Sequence, residues 1–182
     1  MLVMGMISTL GPQPVQAEEK IPVSIIAVID TQSILRESSA AKSVRTQIEA
    51  FRKTYRNEIA KAEELLRKEE QELKRQRPII SAEAFAIKRR QFEDNVAKVQ
   101  RSVQDRTRTL DRIYSQSMNK VGKVMNSIVT KMAKKMEFNF VIDRAQVLFA
   151  AKNVEITQDV LKQLNKEIPK VKVTLPAAVK KQ

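Results

Sequence analysis

The chain has 182 residues, with 34 Lys and Arg against 21 Asp and Glu and a formal net charge of +13 at pH 7. One ordinary domain with elaborations is the expectation from that length. Cysteine and histidine are both absent, which excludes disulfide staples, zinc sites of the usual Cys/His kind, thiol chemistry and imidazole general bases together. Aromatic residues make up 4% and there are 3 Gly, too little bulky side chain for a large globular core, so the balance favours long helices.

Residues 1–17 carry no charge and end in Val15-Gln16-Ala17 ahead of Glu18-Glu19, an A-x-A-like small-residue ending. The stretch reads as the remnant of a signal peptide cleaved near Ala17. No Lys or Arg precedes its short apolar run, which predicts a start further upstream. No uninterrupted apolar stretch approaches the roughly 20 residues that a spanning helix needs, so no transmembrane span is expected in the mature chain.

Ser24-Ile25-Ile26-Ala27-Val28-Ile29-Asp30 is a β-branched run closed by a polar residue and predicts a buried strand. Thr31 or Ser33 is the expected cap of a short helical turn after it.

Ser38 and Ser39 suit a helix N-terminus, and no Gly or Pro follows until Pro78. Val44, Ile48, Phe51, Tyr55, Ile59, Ala62, Leu66 and Leu73 recur at spacings that place them on one stripe. The stripe advances 44, 55, 66 in steps of eleven, a period near 3.67 that predicts a nearly straight arm in place of a left-handed heptad zipper. Arg77-Pro78-Ile79-Ile80-Ser81 breaks the helix, because Pro78 cannot sit inside one without cost and disfavours helical dihedrals at Arg77, while Ser81 can cap a successor. Phe85, Phe92, Val96, Val99, Val103, Leu110, Ile113, Val121, Val124, Ile128 and Met132 then repeat at helical spacing and zip back onto the first arm. At 1.5 Å per residue the first arm is about 60 Å long and must project into solvent.

Phe138–Asp143 and Gln146–Ala150 read as two strands, and a short helix is expected from about Thr157 to Glu167. So few short strands are marginal alone, which predicts oligomerisation through this base. Residues 169–182 hold two Pro, four Lys and no acid and read as either a mobile tail or an added edge strand. The expected organisation is α+β, predominantly α. A β-rich body from 18–37 and 138–168 carries a helical hairpin over 38–137, with its tip near 78–81.

This order of elements, together with Phe140-Val141-Ile142-Asp143, Ala145 and the block ITQDVLKQL over 156–164, resembles the OmpH-like (Skp) family of periplasmic chaperones. The resemblance covers nearly all of the mature chain, and its C-terminal block is the specific part. It implies a homotrimer whose β-rich body carries three helical arms around a central cavity. Such a trimer holds unfolded outer-membrane proteins in the periplasm without ATP. It implies no catalytic residue, cofactor or metal. The trimerisation strands it implies are Ile25, Ile26, Val28 and Ile29 with Phe138, Phe140, Val141 and Ile142.

Two sets of arm residues are candidate contacts. Lys88-Arg89-Arg90 lie near the tip and suit phosphate groups of anionic lipid or lipopolysaccharide, although three adjacent charges on a helix point in different directions. Met118, Met125 and Met132 recur every seven residues and suit an adaptable apolar lining, against the commoner role of such a stripe as packing core. Residues 84–137 carry 13 basic and 5 acidic side chains and residues 36–77 carry 12 and 8, so charge is concentrated on the return arm. That excess serves a holdase by non-directional attraction to a client. It equally serves a basic nucleic-acid or anionic-surface binder, and the export-type N-terminus argues against nucleic acid. Glu69, Glu70 and Glu72 read as solvated carboxylates. Asp30 and Asp143, which close the words AVID and FVID, read as strand ends or helix caps in preference to a catalytic pair.

Overall fold

A computed structural model describes residues 23–176. The signal-peptide remnant, residues 18–22 of the body and residues 177–182 of the tail lie outside the described residues.

Strand β1 (Ile26–Ile29) leads into a short helix α1 (Thr31–Glu37), and two long helices follow, α2 (Ser39–Gln76) and α3 (Ala82–Met136). Strand β2 (Phe140–Asp143), two single 3₁₀ turns and helix α4 (Thr157–Glu167) complete the body. β1 and β2 pair in parallel, Ile26 opposite Phe140 and Ile29 opposite Asp143, so the entire hairpin is the crossover between neighbouring strands. A parallel pair needs a long connection of this kind, since a tight turn can join only antiparallel strands.

The hairpin follows the expected punctuation except at Arg77, which keeps helical dihedrals (φ −49, ψ −45) ahead of Pro78 and still donates to the Leu73 carbonyl. Ser38 accepts from the Ala41 backbone N–H at the start of α2, and Ser81 accepts from Ala84 at the start of α3. The tip falls over residues 77–81, and by helical rise the two arms run about 57 and 82 Å. Buried positions on α3 include Arg106, Ser117 and Ile128 and, one helical step over, Leu110, Val121 and Met132, the same eleven-residue advance seen on α2. Burial is deepest at the base. Val44, Val121, Ile128, Val160 and Leu164 are fully enclosed with Ile34 and Ala40. Beyond Tyr55 and Arg106 the stripe is only half-buried, since two helices cannot enclose a seam without a third layer.

Four features differ from the sequence expectation. The cap of α1 is Asp30, whose carboxylate accepts from the Ser33 N–H at 2.7 Å, in place of Thr31 or Ser33. The run Gln146–Ala150 forms no strand. Asp143 instead accepts from the Ala145 N–H and starts a 3₁₀ turn over Arg144–Gln146, which diverts the chain from the sheet edge. The second partner of β1 is a single parallel bridge between Val28 and Glu155, so the body is mostly helical around a two-stranded sheet. Phe138 lies ahead of β2 and is buried in the core.

The tail also differs: residues 169–176 add no strand to the sheet. They run alongside α2 with Val171 and Val173 buried.

Candidate functional site

The body presents an apolar surface that the single chain leaves uncovered. Ile25, Ile26, Phe140 and Val141 are 49%, 43%, 53% and 37% exposed, and Leu148 and Phe149 stand out at 102% and 82%. The register sets Ile26 beside Phe140 and Val141 beside Ala27, on alternate sides of the sheet, with Ile25 just ahead of β1. Asn139 locks the approach: its side-chain oxygen accepts from the Ile25 N–H at 2.8 Å and its amide donates to the Val23 carbonyl at 2.8 Å. One carboxamide thereby prolongs the strand pairing by side-chain means. Of the expected trimerisation residues, Val28, Ile29 and Phe138 are buried within this chain, whereas Ile25, Ile26, Phe140 and Val141 face outward. Exposed large apolar residues grouped this way mark an interaction surface.

Two aspartates knit the body behind that surface. The Asp143 carboxylate accepts from the hydroxyl and the backbone N–H of Thr31, tying the end of β2 to the start of α1. The Thr31 hydroxyl bond is the chief reason the Asp143 carboxyl lies below its ordinary pKa, with the Ala145 N–H second. Asp30 caps α1, and its N–H donates to Thr157 Oγ1 at 2.9 Å. Both aspartates therefore act as joints between elements.

Halfway along the arm, a feature absent from the sequence reading sits on the stripe. Arg106 is 8% exposed, its guanidinium lies 4.7 Å above the Tyr55 ring, and Nη1 donates to Glu58. Arg106 Nε and the Tyr55 hydroxyl are buried without a partner. Burial pushes the Tyr55 phenol up against the opposing pull of Arg106. Arginine is a solvent residue by composition, and only the eleven-residue spacing from Ser117 and Ile128 would have placed it inside.

Lys88, Arg89 and Arg90 are exposed near the tip. Arg89 pairs with Glu93 one turn on at 3.4 Å, while among the described residues Lys88 and Arg90 have no carboxylate within salt-bridge distance. Lys88 lines a shallow groove with Leu73 and Phe92 between the two arms. The methionines lie elsewhere. Met125 and Met132 are buried and Met118 is half-buried against the core at the hairpin base, the packing position that such a stripe more commonly holds. Glu70 pairs with Lys74, and Glu69 accepts from Asn95 across the hairpin.

Among the described residues no group of His, Cys, Asp or Glu is arranged to hold a metal ion, and no helix is long and apolar enough to cross a membrane. What remains is a long basic hairpin on a small α+β body with an open apolar face. The model of the outer membrane protein (OmpH-like) family matches residues 25–164, and the chain belongs to that family, which is one of chaperones. It is similar to the chaperone protein Skp of Blochmanniella pennsylvanica, 28% identical over 158 residues that cover 83% of this chain and 89% of the relative. A crystal structure described as an OmpH-like outer membrane chaperone, from Caulobacter crescentus, superposes with a TM-score of 0.78 at 16% identity, covering 88% of this chain and 95% of that one. That likeness establishes the shared fold.

Proposed function

We propose that the protein is an ATP-independent holdase that binds unfolded outer-membrane β-barrel proteins in the periplasm and keeps them from aggregating. Export follows from the uncharged N-terminal stretch ending near Ala17. The single observation that carries the reading is the hairpin, whose outer half leaves its apolar stripe half-buried while the half nearer the body carries the excess of positive charge. An unfolded chain meets many weak apolar contacts there and a field that retains it without selecting a sequence.

Homotrimerisation through Ile25, Ile26, Phe140 and Val141 belongs to the same proposal. A two-stranded sheet is marginal in isolation, and three such bodies covering one another's apolar faces would set three arms around a shared cavity. No step makes or breaks a bond, so no catalytic residue or cofactor is needed.

The experiment is the aggregation of a urea-diluted outer-membrane β-barrel protein with and without the mature chain, at two salt concentrations, with mass measured by light scattering. Suppression at near-stoichiometric trimer that persists at moderate salt is the expected result. A monomeric mass with no suppression overturns the reading. A second reading, attachment to anionic lipid or lipopolysaccharide through Lys88 and Arg90, is favoured by the absence, among the described residues, of carboxylates paired with them. It predicts vesicle binding that falls steeply with salt.

A further inference from the structure

The segment that leaves α4 does something the fold does not require. Pro169–Pro176 runs along the first turns of α2 in irregular, extended form, and its residues alternate. Val171 and Val173 are 5% and 6% exposed and Leu175 is partly buried, while Lys170, Lys172 and Thr174 face solvent. Alternation of this period is the pattern of a strand with one covered face. Among the described residues no strand lies beside it.

The pairing is supplied by one side chain. Gln47 Nε2 donates to the Val171 carbonyl at 2.8 Å, and its Oε1 accepts from the Val173 N–H at 3.1 Å. The carboxamide thus offers the donor and acceptor that a neighbouring strand's peptide would offer. It reads only backbone, so it specifies an extended conformation and no particular sequence. Val44 and Ile48, on the same helix face, belong to the buried cluster that takes up Val171 and Val173, and Phe51 packs against it. Gln47 itself is held in position by Ser43 one turn earlier.

We propose that this groove on α2 is a binding site for extended segments with alternating apolar residues, occupied in the free protein by its own C-terminal strap and contested by β-strand segments of an unfolded client. The proposal rests on the holdase reading and adds the segment chemistry that the holdase takes. A strand of an outer-membrane barrel alternates apolar and polar residues along its length. The strap carries that same pattern, and one amide with two valines is a hold that such a client segment can replace.

The test opens the groove and supplies its occupant in trans. In full-length chain carrying Val171→Asp and Val173→Asp, the strap cannot bury its side chains, and far-UV circular dichroism checks that helices and body persist. A fluorescein-labelled peptide of sequence IPKVKVTLP, residues 168–176, is expected to bind this chain at least tenfold more tightly than wild type. Binding should fall at least threefold when Gln47→Ala is added, and vanish for a peptide of the same composition with alternation scrambled. Unfolded β-barrel protein should compete with it. Equal binding to wild type and opened chain, or indifference to Gln47 and alternation, overturns the proposal. Failure of the barrel protein to compete, with aggregation suppression intact, overturns it while leaving the holdase reading standing, whereas loss of suppression by wild-type chain is the separate failure of that reading. A second measurement keeps the proposal falsifiable should the double variant not fold. A fluorophore on Lys172→Cys, in a chain with no other cysteine, must lose anisotropy when unfolded barrel protein is added, and constant anisotropy during suppression overturns the proposal.

Discussion

At the scale of single residues, the polar groups of the body are joints whose loss is measurable. Asp143 accepts from Thr31 and Ala145, and those bonds hold its folded pKa below the ordinary 3.8. As pH falls the unfolded chain therefore takes up the proton first. The contribution of Asp143 is complete above the unfolded pKa and is lost as pH drops through the folded one. Asp143→Asn is expected to cost about 1 kcal/mol in urea unfolding at neutral pH, and the difference from wild type should shrink on titration below about pH 3.5. Glu137 ends α3 at φ 61, a left-handed conformation that disfavours side chains with a Cβ and favours glycine. A negative charge at that helix end also opposes the helix dipole. Glu137→Gly is accordingly expected to stabilise by up to about 1 kcal/mol, read as a raised urea midpoint. The Tyr55 hydroxyl is buried without a partner, and an unpaired buried hydroxyl costs about 1–3 kcal/mol. Tyr55→Phe should leave stability unchanged or raise it, and a clear loss would mean that the hydroxyl has a partner in solution.

At the scale of elements, burial grades along the hairpin and mutational cost should grade with it. Ile128 is fully enclosed at the base, while Leu65 is 61% exposed on the outer arm. Ile128→Ala is expected to cost about 2–5 kcal/mol and Leu65→Ala within about 0.5 kcal/mol, compared by thermal or urea unfolding. The helices were legible because nothing interrupts their period between Ser38 and Pro78 or between Ser81 and Met136. Ser81 caps α3 as its position before an apolar run suggested. The absence of a strand over 146–150 was not recoverable from composition, because such a run pairs only where the chain delivers it to an edge, and the 3₁₀ turn after Asp143 carries it away. One edge of β1 is taken by β2 and the other by the bridge at Glu155. Arg106 was missed for the opposite reason: its charge hides a buried position that only the Tyr55 ring and Glu58 make tolerable.

At the scale of the whole molecule, the proposed function depends on what the single chain leaves open. Ile25, Ile26, Phe140 and Val141 are uncovered apolar residues about a two-stranded sheet, and a charge placed there must be desolvated on association. On the proposed trimeric holdase, Phe140→Asp is expected to lower the light-scattering mass toward that of a single chain and to weaken suppression of client aggregation. Charge on the arms acts over a longer range. On the proposed holdase reading, reversing Lys88 and Arg90 to Glu should slow client capture at low salt more than at moderate salt, since exposed charges are screened within about 8–10 Å.

The residue pattern by itself determined the arms, their tip, their caps and their positive charge, because helical period, proline and side-chain ionisation are local properties that no partner has to supply. It also carried the family, through the ordered block from Phe140 to Leu164. Tertiary structure alone decided which methionines are core, where Arg106 lies, and that the C-terminal segment docks on Gln47 without joining the sheet. Each of those outcomes depends on groups distant in sequence arriving at the same place, and a one-dimensional pattern holds no record of that meeting.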